Sequence, residues 1–273
     1  MGMTLSTVRQ LPGSQRVSRH ITARATRVAQ LQHQNGELED AREVQQQLLP
    51  RCGPAVPGRD YAGRCRPAAS VGGDYYDFLS ICDGRVGFAI GDVSGKGIPA
   101  ALLMATLQAS LRGLAISNPP ELPVMMASLN RLMYDATPVN RFATLFYGAY
   151  DPGTRQFTYV NGGHNCPIVL RGLDVLRLSE GGPAVGMFEP AGYRQSSVTL
   201  EAGDTLVLFT DGVSEAMSLG MDEFGEERLI AALRSGSELK VAELIESIFD
   251  ACDDFADGAP QHDDMTLLIV RAA

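Results

Sequence analysis

The chain has 273 residues, enough for one large domain or one domain with an appendage. Its 45% apolar and 20% charged residues suit a folded soluble protein, and no apolar run approaches the roughly 20 residues that span a bilayer. A formal charge of −9 repels the nucleic-acid backbone, so neither a membrane nor a nucleic-acid partner is expected.

The N-terminus lacks the apolar core of a secretory signal. The five cysteines (Cys52, Cys65, Cys82, Cys166, Cys252) are odd in number and scattered, without a CxxC spacing. They oppose a disulfide framework or a zinc cluster and point to a reducing cytoplasm. Met1 to Ser6 matches a myristoylation pattern, and a chance match is the simpler reading.

From Val17, alternating steps of four and three pass through Ile21, Arg24, Val28, Leu31, Asn35 and Leu38. That is a heptad-like seam with a polar break, continued by Ala41, Val44 and Leu48. Two readings stand: a helix packed on its own domain, or a parallel coiled-coil linker that makes a homodimer. The second is expected, although Arg24 and Gly36 dilute the pattern. Pro50 to Gly58 ends the helix, so residues 1–50 read as a helical linker and 51–273 as one domain.

The pattern then changes to short strands at Val86–Ile90, Phe142–Tyr150, Gln156–Val160, Pro167–Leu170, Ser196–Leu200, Thr205–Phe209 and Met265–Val270. Turns such as Asp151-Pro152-Gly153 and Glu201-Ala202-Gly203-Asp204 are hairpin-length and imply mostly antiparallel pairing. One helix starts around Pro99 and carries Leu103, Leu107, Leu111 and Leu114 along a face. Others are expected at Val124–Tyr134 and from Glu238, where Val241, Leu244, Ile245, Ile248, Phe249 and Cys252 recur at helical spacing. Helices among strands without a βαβ rhythm define an α+β layered domain.

Four acidic blocks punctuate this domain. Asp92 ends the apolar run Val86–Ile90 and opens Gly91-Asp92-Val93-Ser94-Gly95-Lys96-Gly97. Asp211 ends another strand, Asp263 and Asp264 precede the last, and Asp74 lies in Gly72-Gly73-Asp74-Tyr75-Tyr76-Asp77. Any one of these acids reads more simply as a turn former. Together they suggest one convergent site, because strand-end loops present carboxylates where the backbone admits a ligand. Two unit charges at about 4 Å repel by roughly 4 kcal/mol at an effective dielectric of 20, so crowded acids need protons or cations. Oxygen ligands without clustered His or Cys select Mg²⁺ or Mn²⁺ over zinc.

GGDYYD, GDVSGKG, FTDGVSEA and DDMT, in this order and separation, resemble the signature blocks of the PPM-type metal-dependent serine/threonine protein phosphatases. The resemblance is closer to the bacterial SpoIIE/RsbU-like branch and extends from about Ala41 to the C-terminus. Supporting blocks are AREVQQQLLP, FATLFYGAYD and NGGHNCP. It implies two packed antiparallel β-sheets flanked by helices, with two metal ions at one end. It also implies that Asp92 bridges the ions, that the Val93 carbonyl is a further ligand, and that Asp74, Asp211 and Asp263 complete the acidic set. Asp264 stands where many relatives carry Asn and is held in reserve; Asp77 is expected either to stand behind the ligands and orient them or to stabilise its loop.

The implied reaction is attack by metal-activated water on a phosphoserine or phosphothreonine, without a covalent enzyme intermediate. By resemblance, the substrate would be a phosphorylated anti-anti-sigma factor of the STAS type. His164, in Gly-Gly-His-Asn, reads as part of a hairpin turn, with a general-acid role as the competing reading. His262 could orient Asp263. The family's phosphate-gripping arginine has no fixed counterpart: Arg64, Arg66 and Lys96 are candidates. Two other classes compete, a PPM-fold binding module without turnover and a metal nuclease or nucleotide hydrolase. The retained acids oppose the first; the net charge and the lack of a nucleotide-binding loop oppose the second.

Overall fold

Two sheets carry the β-structure in the computed structural model, which describes residues 27 and 33 and residues 35–56, 58–81, 84–116, 121–137 and 140–272. Most of the Val17–Leu49 seam and the Met1–Ser6 pattern lie outside the described residues. Helix α1 occupies residues 35–48. The chain divides into two compact units, Met1–Val44 and Gln45–Ala273. In the larger unit, Gln45 exchanges hydrogen bonds of 2.8 and 3.0 Å with the Gly72 carbonyl and N–H.

The first sheet has the order β1-β11-β10-β6-β7, comprising β1 (Arg59–Arg66), β11 (Met265–Ala272), β10 (Thr205–Phe209), β6 (Ile168–Arg171) and β7 (Asp174–Arg177). The second has the order β2-β3-β4-β5-β8, comprising β2 (Tyr75–Ser80), β3 (Val86–Val93), β4 (Ala143–Asp151), β5 (Gln156–Gly162) and β8 (Gly181–Gly182); β9 (Ser196–Thr199) also pairs with β5. Every pairing is antiparallel except β5 with β8. Hairpin-length connections account for β2–β3, β4–β5 and β6–β7, while the other antiparallel pairs join strands distant in sequence.

Alternate residues of both sheets meet in a shared core that includes Tyr76, Phe88, Ile90, Phe146, Phe157, Leu206, Leu208, Leu268 and Val270. The opposite face of the second sheet packs under α2 (Ile98–Ile116) and α3 (Leu122–Ala136), through Met104, Leu107, Leu111, Met125 and Leu129. The first sheet packs under α5 (Gly225–Ser235) and α6 (Val241–Ala256), through Leu229, Leu244, Ile245 and Ile248. A one-turn helix, α4 (Asp211–Ser214), follows β10. This is the layered α+β architecture expected, two sheets flanked by helices.

Helix α2 is long and apolar enough to cross a membrane by length and composition, which the reading of apolar runs did not anticipate. One of its faces is buried against the second sheet through Ala100, Met104, Leu107 and Leu111, while Ile98, Leu102 and Ile116 are exposed. Strands β1, β2, β7 and β8 and helix α5 lie outside the expected elements. β1 reads RDYAGRCR without apolar alternation, and α5 buries only Leu229 and Leu233. The four described cysteines, Cys52, Cys65, Cys166 and Cys252, are free thiols.

Candidate metal centre

Strand register brings the acids together. Tyr75 pairs with Gly91, which sets Asp74 beside Asp92 at one end of the second sheet. Phe209 pairs with Leu267, and Thr210 N–H reaches the Thr266 carbonyl at 3.1 Å, which sets Asp211 beside Asp263 and Asp264. Two hydroxyls join the sheets there: Thr210 Oγ1 and Thr266 Oγ1 donate to Asp74 Oδ2 at 2.8 and 2.6 Å. Acids separated by up to 190 residues thus share one end of the sandwich because antiparallel strands return to it.

Their charges are coupled. Burial, then the charges of Asp211, Asp263 and Asp264, push the Asp92 carboxyl up to about 7, with Lys96 opposing. Burial and Asp263 raise Asp211, against the Gly212 N–H. Asp74 is buried and held well above the usual carboxylate range, first by burial and then by Asp92; the two threonine hydroxyls pull the other way.

Gly73 lies against the Asp92–Val93 segment. A Cβ at Gly73 would stand 2.7 Å from the Val93 carbonyl oxygen and 3.1 Å from Asp92 Oδ1. Only a residue without a side chain leaves that carbonyl and that carboxylate facing a common space.

The remaining acids are already engaged. Lys96 Nζ lies 2.8 Å from Asp263 Oδ2 and donates to the His262 carbonyl at 2.6 Å. Asp264 accepts from Ala68 N–H and Gly73 N–H, both at 2.8 Å, and clasps the Gly-rich loop. Asp77 is fully buried and paired with Arg112 through two hydrogen bonds of 2.6 and 2.8 Å, while Tyr75 Oη donates to it at 2.7 Å. Accordingly, among the described residues no three His, Cys, Asp or Glu side chains form a ready cage. The donor set around Asp92 nevertheless fits a hard divalent cation. It is all oxygen and bears more negative charge than Lys96 offsets.

The histidines stand apart from this set. His164 is buried in the turn after β5, where its backbone N–H donates to Asn161 Oδ1 at 2.7 Å; the turn leads from the second sheet to β6 of the first, so it is a crossover and not the hairpin expected. Its Nδ1 is 2.8 Å from Thr144 Oγ1, and the Phe209 backbone is a further hydrogen-bond neighbour of the ring. Burial holds its pKa down to about 4, so it is neutral at pH 7 and not charged as an imidazolium acid. Among the described residues no hydrogen bond joins the His262 ring to Asp263. Arg64 pairs with Glu246 at 3.0 Å and Arg66 with Asp253 at 2.7 Å, so both upstream arginines face acids. Thr210 and Thr266 stand inside the FTDG and DDMT blocks, yet nothing local in the sequence marks their hydroxyls as partners of Asp74.

The solved structures share this arrangement of sheets. The SiaA-PP2C domain of Pseudomonas aeruginosa superposes with a TM-score of 0.78 at 22% identity, over 90% of this chain and 98% of that one. The catalytic domain of the serine/threonine phosphatase PstP, solved with two manganese ions, gives 0.60 at 16% identity, over 79% and 98%. The fold is therefore that of the PP2C-like phosphatases, some of which bind Mg²⁺ or Mn²⁺.

The family follows from sequence. Residues 82–273 match the model of Stage II sporulation protein E (SpoIIE), and the chain belongs to this family of PPM-type phosphatases, in its RsbU/RsbP-like bacterial branch. It is 32% identical to phosphoserine phosphatase RsbU of Bacillus subtilis, over 86% of this chain and 70% of RsbU. It is 31% identical to protein IcfG of Synechocystis sp., over 86% of this chain but only 41% of IcfG. The chain thus spans about two fifths of that longer relative.

Proposed function

We propose that this chain removes phosphate from phosphoserine or phosphothreonine in a regulatory protein, with two Mn²⁺ or Mg²⁺ ions at the Asp92 end of the sandwich. The observation that carries this reading is the convergence of Asp74, Asp92, Asp211 and Asp263 on that end, with Asp92 pushed up to about 7 by burial and then by its acidic neighbours. A domain gains nothing in stability from such repulsion, so the arrangement is explained by a bound cation.

In this reading, Asp92 and the Val93 carbonyl hold the ions from the second sheet, and Asp211 and Asp263 hold them from the first. Asp74, fixed by Thr210 and Thr266, sets the spacing between the sheets and adds charge beside Asp92. Asp264 holds the Gly72–Gly73 loop, because backbone N–H groups engage both of its oxygens. When bound, the ions supply an activated water and offset the phosphate charge. Asp263 holds Lys96 through Oδ2, and a bound ion would compete with that ammonium for the carboxylate.

The substrate proposed is an anti-anti-sigma factor of the STAS type, by likeness to the RsbU branch. The free thiols suit a cytoplasmic encounter, and the Val17–Leu49 seam is proposed to dimerise. Sedimentation of a chain lacking residues 1–40 tests the dimer, which should dissociate. The central experiment is phosphate release from such a phosphoprotein, with and without Mn²⁺, by wild type and Asp211→Ala. Mn²⁺-dependent release that vanishes in the variant is expected. Partner binding without turnover in the wild type would point instead to a binding module.

A further inference from the structure

The side chain that grips the phosphate can be sought among the cations near the Asp92 loop. Arg64, Arg66 and Arg112 are each committed to an acid, Glu246, Asp253 and Asp77, and Lys96, which a bound ion would draw away from Asp263, offers a point charge and no fork. Arg141 is different. Its Nη1 donates to the Ser94 carbonyl at 2.8 Å, and no ion pair engages it among the described residues. A guanidinium has five N–H donors, so most of its fork is left for a ligand.

Its position is fixed relative to Asp92. Ser94 N–H donates to the Phe142 carbonyl at 2.9 Å, and Phe142 N–H returns a bond to Ser94 Oγ at 3.0 Å, continuing the β3–β4 ladder past Val93. Ser94 is two residues from Asp92, so their Cα atoms are at most about 7.6 Å apart. Gly95 has φ +100°, and a Cβ there would stand 2.0 Å from Arg141 Nη1. Glycine is therefore what allows the guanidinium to lie on the loop that carries Asp92.

Arg141 also forms one wall of an open groove of about 530 Å³, lined by Tyr134, Phe142, Gly186, Met187 and Phe188. Phe188 is 56% exposed and Tyr134 46%, so apolar side chains rim a cationic floor. An exposed apolar rim beside a single arginine suits a peptide segment whose charge is concentrated in a phosphate.

We propose that Arg141 binds the phosphate of the substrate, and that this groove takes the residues flanking the phosphoserine. The proposal rests on the phosphatase reading for the identity of the ligand. The planar fork suits two phosphate oxygens at once, whereas a lysine offers a point charge.

The test uses the full chain loaded with Mn²⁺ and three probes: inorganic phosphate, p-nitrophenyl phosphate and phosphorylated casein. Arg141→Ala should weaken inorganic phosphate binding by calorimetry at least tenfold and raise KM for both esters similarly, with kcat within about threefold. Mn²⁺ affinity should stay within twofold of wild type. Arg141→Lys keeps the charge and can still reach Ser94, and it should lose most of the same affinity because the fork is gone. Phe188→Ser should raise KM for casein alone. Unchanged phosphate affinity in both Arg141 variants overturns the proposal. So does a parallel loss of Mn²⁺ affinity, which would mean that Arg141 merely shapes the Ser94 loop. Equal KM changes for both esters in Phe188→Ser remove the groove. If wild type turns over neither ester, the phosphatase reading fails, while the inorganic phosphate titration still decides Arg141.

Discussion

Lys96 and Asp263 form an ion pair of 2.8 Å across the opening of the acidic cluster, one residue from the GDVSGKG turn and the other from the DDMT block. The ammonium acts on Asp92 as well, opposing the rise in its carboxyl. A divalent ion that takes Asp263 must displace it. Both side chains are half exposed, so the pair is worth about 0.2–1 kcal/mol. Lys96→Met should therefore bind Mn²⁺ up to about fivefold more tightly by calorimetry. Weaker binding in the variant would show that Lys96 organises Asp263 for the ion instead.

The Asp92 carboxyl makes the metal-free chain sensitive to alkali. Its folded pKa of about 7 exceeds the unfolded value of about 3.9, so between them the folded state holds a proton that the unfolded state has released. This contribution is fully present below pH 4 and is lost as pH rises through 7. In chelator, Asp92→Asn should be the more stable protein at pH 8, by on the order of 3 kcal/mol, and the difference should shrink at pH 5. Urea denaturation at the two pH values measures it. A variant that tracks wild type at both would mean the charges do not repel.

Much of this arrangement was legible in the sequence because it rests on local signals. Val86–Val93 is an apolar run ending in an acid and glycines, and α6 repeats its apolar residues at steps of three and four. β1 was invisible because its side chains are only partly buried and its identity as a strand depends on β11, two hundred residues away. The split between Asp263 and Asp264 was open for a similar reason. Adjacent acids look alike until the partners are known, here a lysine for one and two backbone N–H groups for the other. Arg141 could not stand out either, since its place on Gly95 comes from the β3–β4 pairing.

His164 carries the opposite pH dependence. Buried and held down to about 4, it stays neutral when the unfolded chain takes up a proton below about 6.5. Stability attributable to it is present above pH 6.5 and falls as pH drops toward 4, by up to roughly 3 kcal/mol. His164→Gln should be less stable at pH 7.5 by about 1 kcal/mol, for loss of the bond to Thr144, yet should lose less on acidification. Denaturation midpoints at pH 7.5 and 5 would read this out. A steeper acid limb in the variant would contradict it.

Asp77 stands inside GGDYYD only three residues from Asp74, and the two acids answer to different partners. Asp77 is wholly buried, and the Arg112 guanidinium from α2 is what neutralises it. Arg112→Ala leaves that carboxylate with the Tyr75 hydroxyl and the Phe78 N–H as its donors, neither of them charged. The loss should be about 3–5 kcal/mol, the usual cost of an uncompensated buried charge. Asp77→Asn with Arg112→Met should recover part of it, because no charge is then stranded. Neither change should move the Mn²⁺ affinity by more than about twofold, since Asp77 faces α2. A collapse of Mn²⁺ binding in the double variant, in protein that still unfolds cooperatively, would place Asp77 among the metal-holding acids.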